Sequence, residues 1–158
     1  MSMNEEIAKV VSPLFEALPL DRAMSQLVVR QGGSREQVKL VEDLIRQPVI
    51  ARKPALQAGL WLYVDELDRS HTISQSIDDA TGSFWHGIMH RREGDFWNSH
   101  YWFRRVGNHP AMARIAGYDG HRFIDDVERA HRSGADARNL VDLQRREWMT
   151  LFEWCVEQ

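Results

Sequence analysis

Trp85-His86-Gly87-Ile88-Met89-His90-Arg91-Arg92-Glu93-Gly94-Asp95-Phe96 is the stretch on which the reading of this chain turns. At about 100° per residue on a helical wheel, Phe84, Trp85, Ile88 and Met89 gather on one arc. Glu93, His86 and His90 fall on the opposite side, with Gly87 and Gly94 beside them. An apolar arc facing a polar, glycine-edged one predicts a central helix with neighbours on both sides, because glycine lets a second helix approach closely. Gly94 suits a left-handed C-terminal stop, and Asp95 suits the cap of a following helix.

Helix signals recur outward from this segment. Ile7, Val10, Val11, Leu14, Phe15 and Leu18 form a helical stripe in which Pro13 predicts a kink or break. Asp21 reads as the cap of a short helix to Arg30, closed by Gly32-Gly33. Ser34-Arg35-Glu36-Gln37 is a capping-box pattern that opens a helix to about Arg46. Pro54 suits the first turn of a helix to about Val64, and Asp68 opens another to about Ile77. The key helix starts near Thr81 or Ser83, and the one after it ends at Gly107. Tyr118-Asp119-Gly120 is a turn before a helix to Ser133, and Asp136 caps the last helix. No sustained apolar/polar alternation marks a strand. The expected fold is all-α, about eight helices in antiparallel helix hairpins, within a single domain spanning residues 1–158.

Shifting the middle of the chain by 29 residues lays Leu67-Asp68-Arg69-Ser70-His71 on Phe96-Trp97-Asn98-Ser99-His100. This predicts a short array of helical hairpins. In the second copy Gly87, Gly94-Asp95-Phe96, Ser99, Phe103 and Val106 fall at the spacing of small and aromatic positions in tetratricopeptide repeats, which the segment resembles. The period is shorter than in that family, and His86 and His90 stand where it packs apolar residues. The resemblance implies a scaffold that binds a partner without catalysis. The block from His86 to Gly107 is also similar to a family of bacterial all-helical proteins, a likeness that implies the fold and no activity.

Composition narrows the classes. Apolar residues at 43% and charged residues at 27% suit a soluble globular domain. No apolar run approaches the roughly 20 residues that span a bilayer, so no membrane partner is expected. A net charge of −3 gives no basic footprint for nucleic acid. Cys155 is the one cysteine, and the acidic N-terminus has no signal core, so a cytoplasmic protein is expected. Of 20 basic residues only Lys9, Lys39 and Lys53 are lysine, leaving 17 arginines, whose planar forks suit carboxylates and phosphates. The aromatic surplus serves either a core or a homodimer interface.

Three readings of the histidine face stay open. His86 and His90 can belong to a structural hydrogen-bond network satisfied by Glu93, Tyr101 or backbone carbonyls. They can hold a divalent metal such as zinc, with Glu93 or His71 as third ligand. They can form a metal-free acid/base or anion site, with Arg91, Arg92, Arg104, Arg105 and Tyr101 as ligand-binding groups; Arg92, inside the apolar arc, otherwise lays its stem on the core or pairs with a buried acid. The His-Glu-x-x-His, Gly-rich-loop and Gly-x-Ser-x-Gly motifs are absent. Asp95 reads as a cap, His109 as a turn residue, and Cys155 has no base partner. The expected function is a helical interaction module for a peptide or small anionic ligand. The alternative is a small metal-dependent enzyme built on the helix at 83–93.

Overall fold

The computed structural model describes residues 3–158. Among them the chain forms nine α-helices and one 3₁₀ turn, and no strand. The helices are α1 (Met3–Ala17), α2 (Arg35–Ile45), α3 (Pro48–Ala51), α4 (Pro54–Tyr63), α5 (Leu67–Ser74), α6 (Ala80–Glu93), α7 (Phe96–Val106), α8 (Gly120–Ser133) and α9 (Arg138–Glu157). The 3₁₀ turn is Pro110–Arg114. None of the described helices is long and apolar enough to cross a membrane.

Local chemistry sets most boundaries. The Ser34 side chain accepts from Gln37 N–H while the Gln37 side chain accepts from Ser34 N–H, so the capping box closes α2 from both sides. Asp79 caps α6 through Gly82 N–H, and Asp95 caps α7 through Asn98 N–H. Gly94 at φ 84° and Gly134 at φ 69° end α6 and α8 in the left-handed conformation that glycine adopts without strain.

α1 runs through Pro13, so of the kink or break expected there the break does not occur. Three expectations need correction. The residue that caps α5 is Glu66, with no side-chain bond, one position before the helix begins at Leu67. Asp136 does accept from Arg138 N–H, but the cap position of α9 belongs to Ala137. The helix proposed from Asp21 to Arg30 does not form: residues 18–34 contain turns and no helix. Side chains far along the chain take up its backbone groups. Arg92 and Gln144 donate to Gln26 O, Gln144 donates to Met24 O, and Arg145 donates to Ala23 O. Val29 N–H donates to the carbonyl of Arg92 at 2.7 Å. These bonds satisfy the peptide groups that a helix would have used, and they hold Met24 at a φ of 52°.

α6 lies at the centre. Every residue from Thr81 to Arg92 is buried, as befits a helix covered all round. It packs on α4, α5 and α7, while α9 packs on α1, α4 and α8. Trp148 of α9 stacks on Phe152 at 4.7 Å, meets Tyr63 and Trp85, and donates to Gly59 O at 2.7 Å. The glycine edge of α6 does what its sequence position predicts. Gly87 lies against the Phe103 ring of α7, and Gly120 of α8 touches the other side of that ring. A Cβ at Gly87 would come within 2.5 Å of Phe103, whose ring is held from both sides. Gly87→Ala should therefore lower stability by about 1–3 kcal/mol, the usual cost of overpacking a filled core. A thermal melt that did not move would show that α7 can slide away.

The turns joining α4 to α5 and α6 to α7 are built alike, 29 residues apart in sequence. Ser70 Oγ donates to Ala58 O at 2.9 Å, and Ser99 Oγ donates to Gly87 O at 2.7 Å. The caps Glu66 and Asp95 have backbone angles of −93°/76° and −94°/77°. The residues before them, Asp65 at φ 63° and Gly94 at φ 84°, are both left-handed.

Candidate functional site

The polar face of α6 meets α5 and α7 at three imidazoles. His86 is 3% exposed, His90 8%, and His71 of α5 is half-buried. Their rings lie close together: His71 is 4.7 Å from His86 and 5.4 Å from His90, and His86 is 4.8 Å from His90, centroid to centroid. One nitrogen from each of the three falls within 4.8 Å of the other two. Two of the rings come from one helix, a turn apart, and the third from the neighbouring helix. That convergence follows from i,i+4 spacing on α6 together with α5 alongside.

The surroundings fix the rings in different ways. His90 Nδ1–H donates to Glu93 Oε1 at 2.6 Å. A carboxylate only accepts, so this bond places a proton on Nδ1 and leaves Nε2 as the nitrogen not engaged by Glu93. His86 stacks on Trp102 of α7 at 3.7 Å, with the ring planes 15° apart. Its Nδ1 is buried and has no hydrogen-bond partner. Burial, then the neighbouring His90 and His71, push the His86 imidazolium down to a pKa of about 3. His86 is thus a neutral imidazole at physiological pH, the form that binds metals.

Glu93 is on the stripe where the sequence put it, its side chain 38% exposed, and turned to His90. A second acidic neighbour, Asp95, lies with Glu93 and His90 in another group whose ligand atoms fall within 4.8 Å of one another. The arginines divide. Arg91 is fully buried and makes a two-pronged bond to Glu147, at 2.9 and 2.7 Å. Arg92 is also fully buried and donates to Leu62 O, Gln26 O and Asp65 Oδ1, the last at 2.6 Å. Both forks are filled by the protein itself, so neither is offered to a ligand. Arg104 and Tyr101 lie on the outer side of α7, Tyr101 at 39% exposure and stacked on Trp97, which is 72% exposed.

His109 is buried and serves as a connector. Ala111 N–H donates to its Nδ1, so Nε2–H is the donor to Thr81 Oγ1 at 2.9 Å. That bond ties the 3₁₀ turn to the start of α6. Cys155 is buried, which raises its thiol to a pKa of about 12 and keeps it from acting as a nucleophile. Sequence reasoning missed the pairing of His100 with His121 and Asp125, at 2.8 and 2.9 Å. The three residues lie on α7 and α8, with no spacing that would join them beforehand. Comparison with models of protein families, with curated proteins and with solved structures finds no match.

Proposed function

We propose that this chain is a small metal-dependent protein whose ion is held by His71, His86 and His90. The observation that carries the reading is the convergence of three largely buried imidazoles, one of them with an orphaned nitrogen. A structural network would satisfy that nitrogen, since an unpaired buried polar group costs about 1–3 kcal/mol. Metal coordination is chemistry that three converging imidazoles supply, each through a nitrogen lone pair. Glu93 has the part that carboxylates commonly take behind a ligand histidine, fixing its tautomer and raising its basicity. Three protein ligands leave a fourth position open, the arrangement of zinc sites that activate water or polarise a substrate oxygen. The reading is accordingly a metal-dependent enzyme in preference to a purely structural metal site.

Equilibrium dialysis with zinc, nickel and manganese tests it. One ion per chain is expected for the wild type and none for the His86→Ala/His90→Ala protein. Glu93→Gln keeps the ligands and alters only the group behind them, on a side chain partly open to solvent. It should weaken binding by about 10–100-fold without unfolding the chain. Equal binding by all three proteins, or none by the wild type, would remove the metal from the reading.

A second reading draws on the two matching turns. Their shared serine-to-carbonyl bonds, cap angles and left-handed residues support α4–α5 and α6–α7 as two copies of one helical hairpin. On that reading the chain is an interaction module of tetratricopeptide type that binds a peptide or small anionic ligand. The exposed ring pair Trp97 and Tyr101 gives it a contact surface, or a surface for a second copy. Failure of metal binding in the folded wild type would leave this reading standing.

A further inference from the structure

A second constellation lies outside the three-histidine cluster, between α7 and α8. His100 Nε2–H donates to Asp125 Oδ1 at 2.9 Å, because the carboxylate can only accept. The other nitrogen of His100, Nδ1, faces Nδ1 of His121 at 2.8 Å. The two rings are coplanar to 3° with centroids 5.1 Å apart, the arrangement of rings that meet edge to edge along a hydrogen bond. When each ring carries a single proton, Asp125 holds that of His100 on Nε2, so its Nδ1 accepts. His121 therefore carries its proton on Nδ1, and its Nε2 is left as a base.

His121 also lines a cavity of about 510 Å³, with Arg104, Asn108, Met112, Tyr118 and Asp119. Arg104 makes no ion pair or hydrogen bond among the described residues. Asp119 is turned to its own helix, where it accepts from Arg122 N–H at 3.1 Å. The charged groups around His121 are thus His100 and Arg104 from α7 and Asp119 and Asp125 from α8. Burial and His100 lower the basicity of His121, and the two carboxylates oppose them.

We propose that Asp125, His100 and His121 form a proton relay opening on this cavity, where Arg104 and His121 together bind a small oxyanion that carries a hydroxyl proton. The step balances within the protein. A ligand O–H gives its proton to His121 Nε2, and the His121 Nδ1 proton crosses to His100 Nδ1. His100 becomes an imidazolium, doubly hydrogen-bonded between His121 and the Asp125 carboxylate. The return of the same two protons restores the ligand, so the site works as acid or base. It requires no metal and rests on different residues from the three-histidine reading.

Long-range proton–nitrogen spectra of the intact protein test this without a variant that could misfold. The neutral state should show His121 protonated at Nδ1 and His100 at Nε2. The two rings should take up their first proton as a coupled pair. Inorganic phosphate and glycolate, each an oxyanion that carries a hydroxyl, are the probes. Saturable displacement of the His121 signals by either is expected, with His131 unmoved, and the arm that binds tells phosphoryl from carboxylate ligands. Arg104→Ala, on an exposed side chain, should weaken that binding by about tenfold, the loss of one hydrogen bond to a charged group. Independent titration of the two rings, a His121 proton on Nε2, or no displacement by either anion would overturn the proposal.

Discussion

Replacing Glu147 with Ala should destabilise the chain by about 3–5 kcal/mol, the cost of leaving a buried charge without its partner. Arg91 and Glu147 are both fully buried and joined by two hydrogen bonds at 2.9 and 2.7 Å. Tyr118 OH donates to Glu147 Oε2 at 2.5 Å, and the Arg91 guanidinium lies 4.2 Å over the Phe123 ring. Removing the carboxylate strips the guanidinium of both charged bonds in a place water does not reach. The contrast is Arg114 with Glu157, also a two-pronged pair, at 3.2 and 2.8 Å on the surface. Glu157→Ala should leave the urea midpoint nearly unchanged, because solvent screens such pairs. Similar losses from the two substitutions would mean that water reaches Arg91.

The pair also explains why Arg91, beside the histidine face, was misplaced by sequence. Read along α6, Arg91 looks like a fork for solvent or a ligand, whereas Arg92, inside the apolar arc, reads as a stem on the core or a partner for a buried acid, and it pairs with the partly buried Asp65. Their partners, Glu147 and Asp65, are 56 and 27 residues away and carry no local signal. Local signals did define the helices wherever a cap or a glycine ends them, as at Ser34, Asp95, Gly94 and Gly134. Segment 18–34 was illegible for the opposite reason: its backbone is held by Arg92, Gln144 and Arg145, so its shape is a tertiary product. The histidine site falls between these cases. The spacing of His86, His90 and Glu93 placed them on one stripe, and α5 beside α6 brought His71 to them. That Glu93 stands behind His90 could not be read from a wheel, which gives direction and not distance. His100 with His121 was wholly out of reach, since the contact needs α8 docked on α7.

Acid and zinc should move the stability of this protein in opposite directions through one residue. The folded chain holds His86 as a neutral imidazole with a pKa of about 3, against 6.5 when solvated. Below 6.5 the unfolded chain binds a proton that the folded chain refuses, so unfolding gains as pH falls. The stabilisation is complete above pH 6.5 and is lost progressively toward pH 3. By pH 5 the loss from this group alone is on the order of 2 kcal/mol. The metal-free protein should therefore melt at a falling temperature from pH 7 to pH 5, and His86→Phe should flatten that slope, with an aromatic ring kept against Trp102. On the proposed reading zinc acts on the folded state only, through the same ring and its two neighbours. Held at a thousand times its dissociation constant at pH 7, it should add about 4 kcal/mol. The gain should disappear as acid protonates the ligand imidazoles in competition with the ion. Calorimetric scans at pH 7, 6 and 5, with zinc and with chelator, would read both effects. An acid slope that survived in His86→Phe would move the buried neutral group elsewhere. A zinc increment of the same size in wild type and in His86→Phe would place the ion away from α6.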